Sequence, residues 1–188
     1  MNDFNLKTIN TFCNFLNSDV GEDAMTGMYV EMNLVIKDIG EEETKECIKG
    51  QLKSPISLEN AFHIVETGIK LSREEIKTLE KDVNDIYDQF LLSIILLICD
   101  FEEGREVSFQ VLRSEEAKGN ISPYDYWSSL YFHDGQLAKD FSYEMVQKMS
   151  DKEKQYMSNE KLHFSELKKN LTEFREAVIK EREKYKLG

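Results

Sequence analysis

Apolar residues in the first sixteen positions fall three and four apart, at Leu6, Ile9, Phe12, Cys13 and Leu16. That spacing lines one side of a helix and predicts one over Asp3–Asn17. SDVGED then interrupts the pattern. Two readings compete between residues 22 and 39. Met25, Met28, Met32, Val35 and Ile39 fit a helix, whereas Val30, Met32, Leu34 and Ile36 alternate as a strand does. Length and a terminating Gly40 favour the helix. EEETKECIKGQL reads as a short acidic helix. Ser57 reads as the N-cap of a helix with Leu58, Phe62, Val65 and Ile69 on one face.

Ser72 and Glu75 form a capping box that opens a longer element. Ile76, Leu79, Val83, Ile86, Phe90, Ser93 and Leu97 recur at three and four, which predicts one helix over about 72–101. Its end, FLLSIILLICDFEEG, carries ten nearly all-apolar residues that span about 15 Å as a helix, half the thickness of a bilayer core. With Asp88 and Asp100 at its ends, the run predicts a buried helix covered from several directions, not an anchor. The carboxylates from Asp100 onward stand in conflict with the negative end of that helix.

REVSFQVLR alternates weakly and is read as helix or irregular chain, with no obvious strand partner. Ser122-Pro123 places an N-cap before a proline at the first helical position, opening a helix over PYDYWSSLYF that HDG ends. A helix around Tyr143–Met149 follows, then one from Asp151, opened by Ser150 and Glu153. Along it Phe164, Leu167, Leu171, Phe174, Val178 and Tyr185 form a heptad-like seam, with Glu181 the one break. The prediction is therefore an all-α single domain over residues 1–188. It is a bundle of about seven helices with two long ones, about 72–101 and 151–186, as its spine.

Composition agrees: 9 Gly and 2 Pro in 188 residues leave few breaks for a many-stranded fold. The net charge of −12 argues against direct nucleic-acid binding, and the acid is uneven. From Asp151 onward 10 basic and 8 acidic residues give +2, so the first 150 residues carry −14. Cys13, Cys47 and Cys99 have no CxxC partner and apolar neighbours, which reads as free thiols in a reducing compartment. MNDFNLKTIN lacks the features of a signal peptide, so the expected location is cytoplasmic.

Candidate chemistry is sparse. There is no nucleophile elbow, Walker pattern or GxGxxG, and no cofactor is expected. Glu160 and His163 form one ExxH pair, and His63 and Glu66 its reverse. Three-residue spacing puts each His beside its Glu on one helical face, but a di-iron bundle needs a second ExxH and two more Glu. His133-Asp134 is the dipeptide that all-helical metal phosphohydrolases use, but the further ligands such enzymes need have only His63 and Asp151 to offer. EEETKE contains an EExxE without the downstream ExxD that helical pyrophosphohydrolases carry.

The densest aromatic stretch is the better site. Tyr124, Trp127 and Tyr131 share one helical face, and Tyr126, Leu130 and His133 another. Tyr124, Tyr126, Trp127, Tyr131, His133 and Asp134 are therefore the candidate partner-binding residues. The expected function is a non-enzymatic acidic module that binds another protein and inhibits or modulates it. Inhibitors, immunity proteins of toxin pairs and phage anti-defence proteins share this profile. A basic or nucleic-acid-binding partner would meet the acidic helices between Asp19 and Glu103 as a phosphate mimic. Two alternatives stand beside it: a metal-dependent hydrolase using His63, Glu66, Glu160 and His163, and a homodimer through the C-terminal seam.

Overall fold

A computed structural model describes residues 1–18, 25–53 and 55–186, with the backbone alone at 25–26, 178 and 181–186. SDVGED beyond Ser18, including Asp19, lies outside the described residues, as do the seam side chains of Val178, Glu181 and Tyr185. The described chain is all-helical and forms ten helices. It divides into two compact units, Met1–Gln51 with Ser158–Gly188, and Leu52–Met157.

The first unit begins with α1 (Asp3–Leu16), α2 (Met25–Ile39) and α3 (Glu41–Lys49). Asn2 caps α1 by accepting from Asn5 N at 2.8 Å, and Ile9, Phe12, Cys13 and Leu16 form its buried side. The helical reading of 25–39 holds. Met32 and Val35 are buried in it, and Gly40 follows at φ 92°, a conformation that glycine adopts without cost.

The second unit holds α4 (Leu58–Glu66), α5 (Arg73–Leu79), α6 (Ile86–Ile98), α7 (Glu103–Arg113), α8 (Pro123–Leu130) and α9 (Gln136–Lys148). The caps read from sequence are present: Ser57 accepts from Asn60 N, and Ser72 with Glu75 and Ser122 with Asp125 form capping boxes. REVSFQVLR is helical, and α9 starts well before Tyr143.

The expected 72–101 helix is not one helix. α5 stops at Leu79, a 3-10 turn covers Glu80–Asp82, and Val83 is extended. Local polar bonds explain the break. Asp85 Oδ1 accepts from Asp88 N at 2.8 Å, Asp88 Oδ2 accepts from Asn84 N at 2.8 Å, and Asn84 Nδ2 donates to Asp82 O. These side chains offer the backbone an alternative to the helical ladder and restart it at Ile86. With this split and a helical α7, the described residues form ten helices where about seven are expected.

α6 is covered on every side. It packs on α7 and α4 and also touches α5, α8 and α9. Phe90 through Cys99 are all buried, and each large apolar side chain so removed from water contributes about 1.5–3 kcal/mol. The one polar residue inside the run is satisfied: Ser93 Oγ donates to Phe90 O at 2.7 Å and lies 3.0 Å from Tyr126 Oη. No described helix is long and apolar enough to cross a membrane.

The last helix, α10 (Asp151–Lys186), starts in the second unit with a Ser150–Glu153 capping box and ends in the first. Its pairing with the Ser72 segment as a spine does not emerge: from Ser158 on it groups with the first 51 residues. There Arg175 donates to Leu34 O at 3.5 Å and pairs with Asp38 of α2.

The close approach of α7 to α6 is tested by Gly104. A Cβ there would meet Leu96 Cβ and Leu97 N, each at 2.9 Å. Gly104→Ala should cost about 1–3 kcal/mol by overpacking and lower the thermal midpoint by several degrees. Gly27→Ala in α2, with nothing within 4 Å, should stabilise slightly. Equal midpoints for the two variants would disprove the close α6–α7 approach.

Candidate functional site

Three chain segments meet where α6 ends, and they gather the second unit's polar groups. Leu97 O accepts from Asp100 N at 3.2 Å, and Leu96 O from Phe101 N at 2.9 Å. This pair of bonds closes a helix over a left-handed residue that is usually glycine. Here the residue is Asp100, at φ 62°. Its side chain supplies a reason. Oδ2 pairs with Lys70 Nζ, and Oδ1 lies 3.4 Å from Leu137 N in the first turn of α9. α9 has no side-chain cap of its own, because Gly135 stands at its N-cap. The carboxylate that conflicts with the end of α6 thus serves the start of α9.

Beside it lies a buried ionisable pair. Glu66 is the last residue of α4, and His133 sits in the α8–α9 connection, its N–H donating to Leu130 O at 3.1 Å. Glu66 Oε1 and His133 Nε2 are 3.8 Å apart, with side chains only 5% and 4% exposed. That separation is too long for a hydrogen bond, and neither atom has a hydrogen-bond partner among the described residues. Burial pushes the Glu66 carboxyl above the usual carboxylate range, and the neighbouring imidazole partly offsets the effect. Cys99 completes the junction. Its sulfur accepts from Leu71 N at 3.2 Å.

The six residues expected to bind a partner do not form one surface. Tyr126, Trp127 and His133 are buried, Tyr124 and Tyr131 are half-buried, and Asp134 is exposed and paired with Lys139. Burial pushes the Tyr126 hydroxyl up to about 12, against the bonds from Ser93 and Ser108. The other rings form a ladder. Trp127 stacks on Tyr131 at 4.3 Å, Tyr124 lies 5.7 Å from Trp127, and Tyr156 of α10 lies 6.4 Å from Tyr124. Glu153 fastens that end. Burial alone would raise its carboxyl, but bonds from Ser150, Ser122 and Tyr124 outweigh this and hold it below the usual range.

The four residues of the metal reading are also scattered in role. Glu66 faces His133, His63 is half-buried against Phe62, Glu160 is half-buried and His163 exposed. Among the described residues no three His, Cys, Asp or Glu side chains are grouped to hold a metal ion. Sequence reasoning selected Glu66 and His133 for separate purposes and missed their pairing, which only the packing of α4 against the α8–α9 connection creates. It missed Lys70 for the same reason. Asp100 did carry a signal, as an acid ending an apolar helix.

Chemically, the junction is suited to holding chain segments together. Its acid–base pair is sealed from solvent, and Lys70 and Asp100 neutralise each other at the rim. Comparison with known proteins returns no matching family model, no matching curated protein and no matching solved structure.

Asp100 gives a test of this arrangement. Asp100→Ala keeps the left-handed backbone without its compensating contacts and should cost about 1–2 kcal/mol. Asp100→Gly removes the same contacts but relieves the backbone, so it should be about 1 kcal/mol less damaging than the alanine variant. Urea denaturation measures both. Equal losses would show that the positive φ carries no cost.

Proposed function

We propose that this chain is a non-enzymatic protein-binding module with an acidic surface, and that α10 is its main presented element. The observation that carries the reading is the state of α10. It runs 36 residues, about 54 Å, and none of its described side chains is buried. Leu162 and Phe174 stand 64% and 60% exposed on it, and Tyr156 52%. A helix of this length ordinarily owes its stability to one well-buried face. Large apolar side chains left in solvent along such a helix are suited to become the anchors of an interface.

The partner that fits best is another protein with a basic surface. Glu42, Glu43 and Glu46 on α3, and Glu80, Asp82 and Asp85 ahead of α6, are all exposed. Their charge would steer a basic protein, including one that binds nucleic acid, and the acids would stand in for phosphates. Inhibition is the expected consequence. Self-pairing through the C-terminal seam is disfavoured by its own charges. Lys161, Lys168 and Arg182 lie at one heptad position beside it, so an antiparallel pair of copies would set like charges against each other, and Arg175 at the same position is already engaged by Asp38.

A partner captured from the native host provides the test. Phe174→Ser and Leu162→Ser should each weaken its binding about tenfold or more, with the thermal midpoint nearly unchanged. Raising salt across one Debye-length range, from about 0.01 M to about 0.15 M, should weaken it further. Affinity indifferent to both substitutions would remove α10 from the interface, and indifference to salt would remove the phosphate mimicry.

A further inference from the structure

We propose that Glu66 and His133 form a latch holding the α8–α9 connection against the end of α4, closed only while the two side chains hold one proton between them. The contact joins segments far apart in sequence, and its two facing atoms have no hydrogen-bond partner among the described residues. With one proton the pair is neutral in either arrangement, as a carboxylic acid beside an imidazole or as a carboxylate beside an imidazolium. With none, a bare carboxylate is buried. With two, a bare imidazolium is buried. Uncompensated buried charge is costly in both cases, and exposure to water relieves it.

The charged groups on the surrounding elements have partners of their own. Lys70 is paired with Asp100, and Asp134 with Lys139. Asp125 of α8 accepts from Ser122, and Asp140 of α9 from Gln136. α6 is apolar from Phe90 to Cys99 apart from Ser93, which is bonded to Phe90 and Tyr126. On α4, Glu59 is exposed and His63 is half-buried. Burial pushes the Glu66 carboxyl up, which places the alkaline opening on loss of the pair's last proton.

The connection bears on a built-in reporter. Trp127 is the only tryptophan of the chain and stacks on Tyr131. Tyr131 lies against Phe132 at 5.5 Å, and Phe132 against the His133 ring at 4.3 Å. Release of His133 therefore disturbs the Trp127–Tyr131 stack. The latch is separate from the binding reading, because it is measured on the isolated chain.

Trp127 emission and far-ultraviolet circular dichroism, followed from about pH 5 to about pH 9, test it. The expected emission is level in the middle of the range and changes at both ends, while the dichroism holds. Glu66→Gln should abolish the alkaline change and keep the acid one. His133→Gln should abolish the acid change and keep the alkaline one. Amide exchange over residues 131–137, corrected for its intrinsic pH dependence, should quicken at both ends in the unmutated chain and decides the matter if a variant fails to fold. Emission and exchange constant across the range, or variants that each keep both changes, overturn the latch.

Discussion

The desolvation of α6 from Phe90 to its end is the constraint on which the second unit depends. A helix that is apolar on all sides cannot lie on a surface, so its neighbours must enclose it. α4, α7, α8 and α9 do so, and their own amphipathic faces are thereby used up. Close packing then sets local demands. Gly104 is needed because α7 approaches the backbone of Leu97, and Ser93 is tolerated because Phe90 and Tyr126 satisfy its hydroxyl. Tyr126 in turn lies edge-on to Phe90 at 4.9 Å and to Phe141 at 5.7 Å, which ties α6, α8 and α9 together.

Enclosing one helix forces several chain reversals at its end, and each reversal exposes backbone groups that need partners. The polar cluster around Asp100 answers that need. Asp100 takes a conformation costing about 1–2 kcal/mol in most residues, and it serves the otherwise uncapped start of α9. Glu66 and His133 are buried, where water cannot help. The cluster is therefore a consequence of burying α6, with its chemistry directed at the chain itself. The same reasoning explains why the aromatic stretch is mostly interior: α8 must cover α6 with one face and meet α9 with another.

Fold class was legible in the chain because helical periodicity and capping residues are local signals. Ser57, Ser72, Ser122 and Ser150 each open a helix as their sequence context implies. The break between Leu79 and Ile86 was legible in principle, since Asp85 with Asp88 three residues on has the form of an N-cap. It was overridden by an apolar rhythm that runs through Val83 without a gap. Glu66 with His133, and Lys70 with Asp100, were not legible. Each pair joins residues whose nearness is created only by tertiary packing, and nothing in the local sequence of either partner marks the other. The aromatic residues were visible as a group, but composition alone does not distinguish a core from a surface.

The C-terminal helix shows where a heptad pattern misleads for a geometric reason. A strict seven-residue repeat keeps one face aligned only if the helix supercoils; a straight helix drifts by about 20° per heptad. In the first unit the half-buried row runs Glu160, Phe164, Leu167, Leu171 with Thr172, Arg175 and Ile179, so beyond Leu171 spacings of four replace the alternation of three and four. Contact has moved from Phe174 to Arg175, whose guanidinium reaches Asp38 and the Leu34 carbonyl. Phe174 is left in solvent by that rotation. Its exposure thus accompanies the polar tie through Arg175, which leaves an apolar ring in solvent. This links how α10 packs to the proposal that it is the element offered to a partner.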